Sequence, residues 1–384
     1  MVRRGGGRAG EAPGMSARAR QPRVLMTLDA VGGVWTYALT LARALVARGS
    51  DVAFLGFGPR PGPERAREAR WLGQLDWSDA PLDWQATDPD RLAAVGPAIR
   101  TALRRYRADL ALLAAPSQAV GVNADAPLVS VAHSCLATWF RAVRDTEVPR
   151  EIAWKAEATR AGLRACAAVV APTAAHAALL RRCYPGTPEP AVIWNGAAPR
   201  IPCEAAGRDT APVAVARWWD PGKGGVILDA AAARMRAPAR LIGPCEVPGE
   251  YPFRPRHTEA IGPLPHEAAL AMVARAPFLI APSLYEPFGL AVAEAASMGV
   301  PLLLADIPTF RELWGGAALF YPARDPEALA RAADELAGDA AQRLRLGAAA
   351  RARAERYRPA RQAESMLALF EGLRDARLPV TAEV

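Results

Sequence analysis

The sequence predicts an α/β protein of two doubly wound domains facing a central cleft. Three observations carry this. Short apolar strands alternate with amphipathic helices along most of the chain, which is the pattern of parallel sheets. The alternation restarts after a small, polar, Pro-bearing stretch at 196–212. Turns bearing Gly, His, Arg and Lys fall directly after strands, at the sheet edge where open α/β domains bind ligands.

In chain order, 24–28 is an apolar strand, 29–33 a loop, and 34–47 an amphipathic helix ended by Gly49. A strand at 51–56 completes a βαβ start. Residues 57–90, with Pro, Gly, Arg and Trp, read as irregular. A helix at 91–106 leads to strands at 110–114 and 128–132, the latter ending at His133. Helices at 150–166 and 174–183 precede a strand at 191–194 that Asn195-Gly196 closes. The first domain is thus 23–195, the linker 196–212 and the second domain 213–357. In the second domain strands are read at 213–216, 241–242, 278–281 and 302–305. Helices there are read at 226–235, 267–275 and 290–298, with two last helices at 343–356 and 360–374.

The chain has 384 residues, enough for two sizeable cores. No apolar run approaches the ~20 residues of a membrane span. Residues 1–22 are rich in Arg, Gly and Ala and poor in large apolar groups, so a disordered tail is expected. Arg3-Arg4 lacks the apolar run of an export signal, and Met15 is an alternative start to Met1. The five cysteines show no metal-ligand spacing and imply free thiols in a reducing cytoplasm. The four histidines are scattered, which argues against zinc. Asp88-Pro89-Asp90 sits in a turn before a helix, where Asp90 suits a helix cap better than a metal. No metal and no bound cofactor are therefore expected.

The net charge of +8 is carried almost wholly by Arg, with Lys155 and Lys223 the two lysines. Because Arg is spread along the chain, a nucleic-acid partner is not expected. Arg100, Arg104, Arg105 and Arg107 cluster on one helix. A solvated face accounts for them, and peripheral contact with an inner membrane is the sharper alternative.

The most informative stretch is 282–295, Pro-Ser-Leu-Tyr-Glu-Pro-Phe-Gly-Leu-Ala-Val-Ala-Glu-Ala. A buried strand runs through a Pro-rich turn into a helix, whose first amides and positive dipole end suit a phosphate. Gly289 lets a ligand approach the backbone. Glu286 in the turn and Glu294 in the helix flank that anion site and can accept hydrogen bonds from hydroxyls. Phosphate and hydroxyls together describe a sugar nucleotide. After the strand at 213–216, Arg217 and Lys223 stand beside the Gly-rich turn 222–225, which suits a diphosphate. Gly32-Gly33 follows the first strand; it suits a phosphate approach and equally an ordinary tight turn. His133 at a strand end faces the cleft, as a donor to a sugar or as a packed core residue. Trp139 and Phe140 behind it are open between an acceptor lining and core packing.

The segment Glu286-Pro287-Phe288-Gly289-Leu290 with Glu294 resembles the donor-site signature of retaining glycosyltransferases of the GT-B fold, family 4 (group 1) type. The resemblance implies that Glu286 holds hydroxyls of the transferred sugar, Glu294 the ribose, and the Phe288-Gly289-Leu290 backbone the donor. Arg217 and Lys223 resemble the family's diphosphate cations, although Ala216 stands where the family usually has Gly. Gly32-Gly33 resembles its first-domain loop over the donor phosphate, and His133-Ser134-Cys135 matches one subgroup. Ile261-Gly262-Pro263-Leu264 resembles the lining of the nucleobase pocket, which brings in Leu264. The break at Tyr357-Arg358-Pro359 resembles the point where the chain crosses back, so 358–384 is expected on the first domain. The resemblance implies metal-independent, retaining transfer of a hexosyl-type sugar from a nucleoside diphosphate sugar. The acceptor (saccharide, lipid-linked or small molecule) is not readable. The competing readings are a non-catalytic sugar-nucleotide binding subunit, and a phosphorylase or epimerase on the same fold.

Overall fold

A computed structural model describes residues 20–198, 209–247 and 251–376. The expected tail at 1–22 and linker at 196–212 therefore fall largely outside the described residues, as does Cys203.

The first sheet has seven parallel strands: β1 (Arg23–Asp29), β2 (Asp51–Phe57), β3 (Gln74–Trp77), β4 (Leu110–Leu113), β5 (Leu128–Val131), β6 (Ala168–Ala171) and β7 (Ala191–Val192). Their order is β3-β2-β1-β4-β5-β6-β7. The second has six: β8 (Val213–Val215), β9 (Arg240–Ile242), β10 (Glu259–Gly262), β11 (Leu279–Ala281), β12 (Leu302–Ala305) and β13 (Leu319–Tyr321), in the order β10-β9-β8-β11-β12-β13. Each order reverses once, at β1/β4 and at β8/β11, and a crevice opens at each reversal. Both sheets are covered on both faces. In β1, Val24, Met26 and Leu28 enter one core and Leu25 the opposite one, as the two-residue period of a strand dictates.

The helices are α1 (Gly33–Val46), α2 (Pro63–Leu72), α3 (Val95–Arg105), α4 (Leu136–Trp139), α5 (Ala153–Ala165), α6 (Ala174–Cys183), α7 (Gly225–Ala232), α8 (His266–Arg275), α9 (Leu290–Ser297), α10 (Pro308–Trp314), α11 (Pro326–Gly338), α12 (Ala340–Ala354) and α13 (Pro359–Asp375). From α13, Ala363, Met366, Leu367 and Phe370 pack into the core containing Trp35, Tyr37, Leu41 and Leu45 of α1. The last helix thus lies on the first domain.

Two expectations are corrected. Residues 57–90 are not irregular throughout. They hold α2 and the edge strand β3. Pro63 opens α2, but only Ala69 of that helix is buried, so no apolar period betrays it. The cap before the 91–106 segment is Asp88 rather than Asp90. Asp88 accepts the Arg91 amide at 3.1 Å, with Pro89 as the first residue of a short 3₁₀ turn that precedes α3.

Polar contacts join the domains. The Ala174 and Ala175 amides opening α6 donate to the two Glu312 oxygens at 3.0 and 2.8 Å. Thr173 accepts the His176 amide at 3.1 Å as the α6 cap and donates to the Pro287 carbonyl at 3.0 Å. Tyr285 Oη lies 2.7 Å from Thr138 Oγ1, and Trp139 Nε1 donates to Asp220 at 2.9 Å. These bonds hold the 282–289 turn against the first domain. Trp139 is therefore a bridge between domains.

Candidate active site

Two loops of the second domain form the base of the site. The first follows β8. Asp220 accepts the Gly222 amide at 2.8 Å, a 3₁₀ turn spans Pro221–Lys223, and Gly224 takes a left-handed φ of 70°. The second follows β11 and ends at Gly289, which caps α9 with φ 89°. The Leu284 and Tyr285 amides both donate to the Gly222 carbonyl, at 2.8 and 3.2 Å, and so fasten the loops together. Lys223 Nζ then donates to Glu286 Oε2 at 2.8 Å, both side chains being largely buried.

Helix α9 is made of strong helix formers and stops in a double lock. The Val300 amide reaches Ala295 O at 3.0 Å and the Gly299 amide reaches Ala296 O at 2.9 Å, with Gly299 left-handed. Its opposite end presents unpaired amides beside Glu286. A Cβ on Gly289 would lie 3.2 Å from both Glu286 Cγ and Phe310 Cε1, so glycine keeps Glu286 in place. The Phe288 side chain is buried in the core against Tyr357. Glu294 is held by His266 at 3.3 Å. Leu264 packs at the margin of the same core, in the segment leading from β10 to α8.

The first domain closes over these groups. Gly32 caps α1 with φ 99° and ψ −144°, a conformation suited to glycine. A Cβ there would lie 3.7 Å from Arg217 Cδ and Nη1, and one on Gly33 would lie 3.5 Å from Leu290. Gly32, Gly33, Arg217, Leu290, Gly289, Glu286 and Lys223 are thus contiguous through direct neighbours.

His133 lies beyond β5, stacked edge-on against Tyr37 with ring centroids 4.2 Å apart. Its Nε2 is buried with no hydrogen-bond partner among the described residues. Burial, reinforced by His176, pushes its pKa down to about 3, so the ring is neutral at physiological pH. His176 falls to about 4 by burial, against a hydrogen bond to Ala132.

Both pKa values are lowered, so between about pH 6.5 and 4 the unfolded chain binds more protons than the folded one. Stability is therefore full above pH 6.5 and falls as pH drops through that window. His176→Phe is expected to flatten this acid limb by removing one such group. Urea midpoints at pH 7 and pH 5 check it, and an unchanged difference between them would refute it.

Sequence reasoning passed over Asp29, the last residue of β1. It is 8% exposed and accepts the Val31 amide at 2.7 Å. Burial raises its pKa to about 6, while the Val31 amide and Arg217 pull it down. The available signal was an acidic residue closing an otherwise apolar strand.

Comparisons with known proteins bear on the family and the fold. The family model described as Glycosyltransferase Family 4 matches residues 31–199, and that of Glycosyl transferases group 1 matches residues 255–353. Sucrose-phosphate synthase from Thermosynechococcus elongatus superposes with a TM-score of 0.75 at 19% identity, covering 93% of this chain and 100% of its own. Anabaena Alr3699/HepE in complex with UDP-glucose gives 0.70 at 16%, covering 91% and 100%. Glycogen synthase of Mycobacterium tuberculosis is 38% identical over 100 residues, which is 26% of this chain and only 24% of that relative. The two family models lie side by side over both halves of the cleft, and the chain belongs to the GT-B glycosyltransferases of the family 4, group 1 type.

Proposed function

We propose that this glycosyltransferase moves a hexosyl-type sugar from a nucleoside diphosphate sugar to a hydroxyl acceptor, with retention and without a metal. The observation that carries the reading is the Lys223–Glu286 pair at 2.8 Å beside the open end of α9. A cation, free helix amides and a carboxylate converge there, and that set fits a diphosphate joined to a sugar. Arg217, Lys223 and the α9 amides stabilise charge growing on the leaving diphosphate. Glu286 and the neutral His133 hold hydroxyls of the transferred sugar, and Glu294 holds the ribose. Gly32 and Gly33 cover the phosphates, and Leu264 borders the base.

In the proposed step the bond from the anomeric carbon to the diphosphate oxygen breaks. The acceptor oxygen bonds to that carbon on the same face, and its proton passes to the departing diphosphate. Arg217→Ala and Glu286→Ala are each expected to lower transfer and donor hydrolysis about 10²-fold or more. Initial rates with uridine, guanosine and adenosine diphosphate sugars test this. Wild-type rates in both variants would refute the assignment.

No helix among the described residues is long and apolar enough to cross a membrane. Arg104 and Arg105 end α3 and are exposed, with Arg105 paired to Asp76 at 2.9 Å, and the exposed Arg107 follows two residues past the helix. Cations in the last turn of a helix offset its dipole, which favours the solvated-face reading of this cluster.

A further inference from the structure

The cleft carries a second group of side chains that the donor machinery does not use. Asp29 stands at the end of β1, where the order of the first sheet reverses. Its Oδ1 takes the Val31 amide, and its Oδ2 has no hydrogen-bond partner among the described residues, although the residue is only 8% exposed. Asp83 accepts Ser117 Oγ at 2.6 Å and the Trp84 amide at 2.8 Å, which fixes the approach to Trp84. Trp84 is 39% exposed and stacks on Trp219 of the other domain, with centroids 6.5 Å apart and planes 26° apart. Arg217 lies 5.3 Å from the Trp219 ring centroid, which joins this group to the proposed leaving-group site.

We propose that Asp29, Trp84 and Trp219 form the acceptor subsite, positioned in part by Asp83, and that it takes a neutral saccharide. The proposal rests on the glycosyltransferase reading above. A pyranose has an apolar C–H face that suits an indole, and hydroxyls that suit an open carboxylate oxygen. The hydroxyl bond to Asp29 is charge-assisted and forms in a water-poor setting. Asp29 and Asp83 are offset there by Arg217 and by Lys155, whose Nζ donates to the Trp84 carbonyl at 2.8 Å, so the subsite has no surplus charge to draw an ionic acceptor and fits a neutral one. The bridge between Trp84 and Trp219 forms only when the domains face each other as they do here, which ties acceptor capture to the assembled cleft.

The test uses the full chain with whichever of uridine, guanosine or adenosine diphosphate glucose gives the largest thermal shift. Acceptors are glucose, mannose, galactose, maltose and sucrose, with glucose 6-phosphate as the anionic comparison. Neutral sugars are expected to be preferred. Trp84→Ala should raise the acceptor KM about tenfold, and Trp84→Phe should restore most of it. Asp29→Asn should raise acceptor KM by about tenfold or more. Donor hydrolysis and the donor-induced shift should stay at wild-type levels in all three. Unchanged acceptor KM in Trp84→Ala and Asp29→Asn overturns the subsite. So does preference for glucose 6-phosphate, or donor hydrolysis without transfer to any neutral sugar. A folded wild-type protein that neither binds nor hydrolyses a donor overturns the glycosyltransferase reading itself, and the subsite with it.

Discussion

Lys223→Ala is expected to reduce transfer by about 10²–10³-fold while the fold persists. The side chain sits at the end of a short 3₁₀ turn, 13% exposed, and is paired with Glu286. Without donor, the pair keeps each charge from being buried alone. With donor, the ammonium is expected to turn to the diphosphate and the carboxylate to sugar hydroxyls, so that a single contact would store both groups near their working positions. Two consequences separate this from a structural ion pair. The losses from Lys223→Ala and Glu286→Gln should not add in the double variant, because the groups act as one unit. Lys223→Ala alone should lower the unliganded unfolding temperature, because Glu286 is left largely buried without its cation, and adding Glu286→Gln should restore most of that loss, while the donor-induced shift vanishes in both. Full activity in Lys223→Ala, or a collapse of the unliganded fold, would contradict this account.

Gly224→Ala is expected to destabilise the chain by roughly 3 kcal/mol and to abolish donor binding. Gly224 has φ 70°, and a Cβ there would stand 2.0 Å from the Pro282 carbonyl oxygen. That atom is backbone and cannot swing aside. Relief requires the 220–225 and 282–289 loops to part, which breaks the bonds from Leu284 and Tyr285 to Gly222 O and separates Lys223 from Glu286. Gly62→Ala is the control. Gly62 has φ −62° and open space where the methyl would go, so its effect should stay within about 0.5 kcal/mol. Urea denaturation of the two variants checks the contrast. A Gly224→Ala protein as stable as the control would show that the loops are not joined as described.

The legible parts of the fold are those whose local signals agree with one another. The helix at 174–183 and the strand at 302–305 match the observed elements residue for residue. Each has a clear start or stop and a consistent apolar pattern. Helix α2 was hidden because it buries almost nothing, and β3 because it is a four-residue edge strand. Asp88 was hidden behind Asp90, although Pro89 as a first turn residue points to the residue before it as the cap.

The residues proposed for the donor could be grouped from sequence because their loops lie in two short runs, 217–225 and 282–294, that keep their chemistry close in sequence, and Lys223 does meet Glu286. The features that join the domains were not readable. Glu312 caps a helix 137 residues away, and Tyr285 looked like a spacer inside the motif until its hydroxyl met Thr138. Asp29 and Trp84 belong to the same class. An acidic end to an apolar strand is the one local mark on Asp29, and only the closing of one sheet edge over the other brings it and Trp84 to Arg217 and Trp219.

Arg217, Lys223 and the α9 amides are proposed to grip a nucleoside diphosphate. Isothermal titration of the full chain with uridine, guanosine and adenosine diphosphates tests it most directly, with Lys223→Ala run in parallel. The account predicts saturable one-to-one binding of at least one of the three, weakened by added salt and lost in the variant. No binding heat from any of them with folded wild-type protein, or equal affinity in Lys223→Ala, would contradict it.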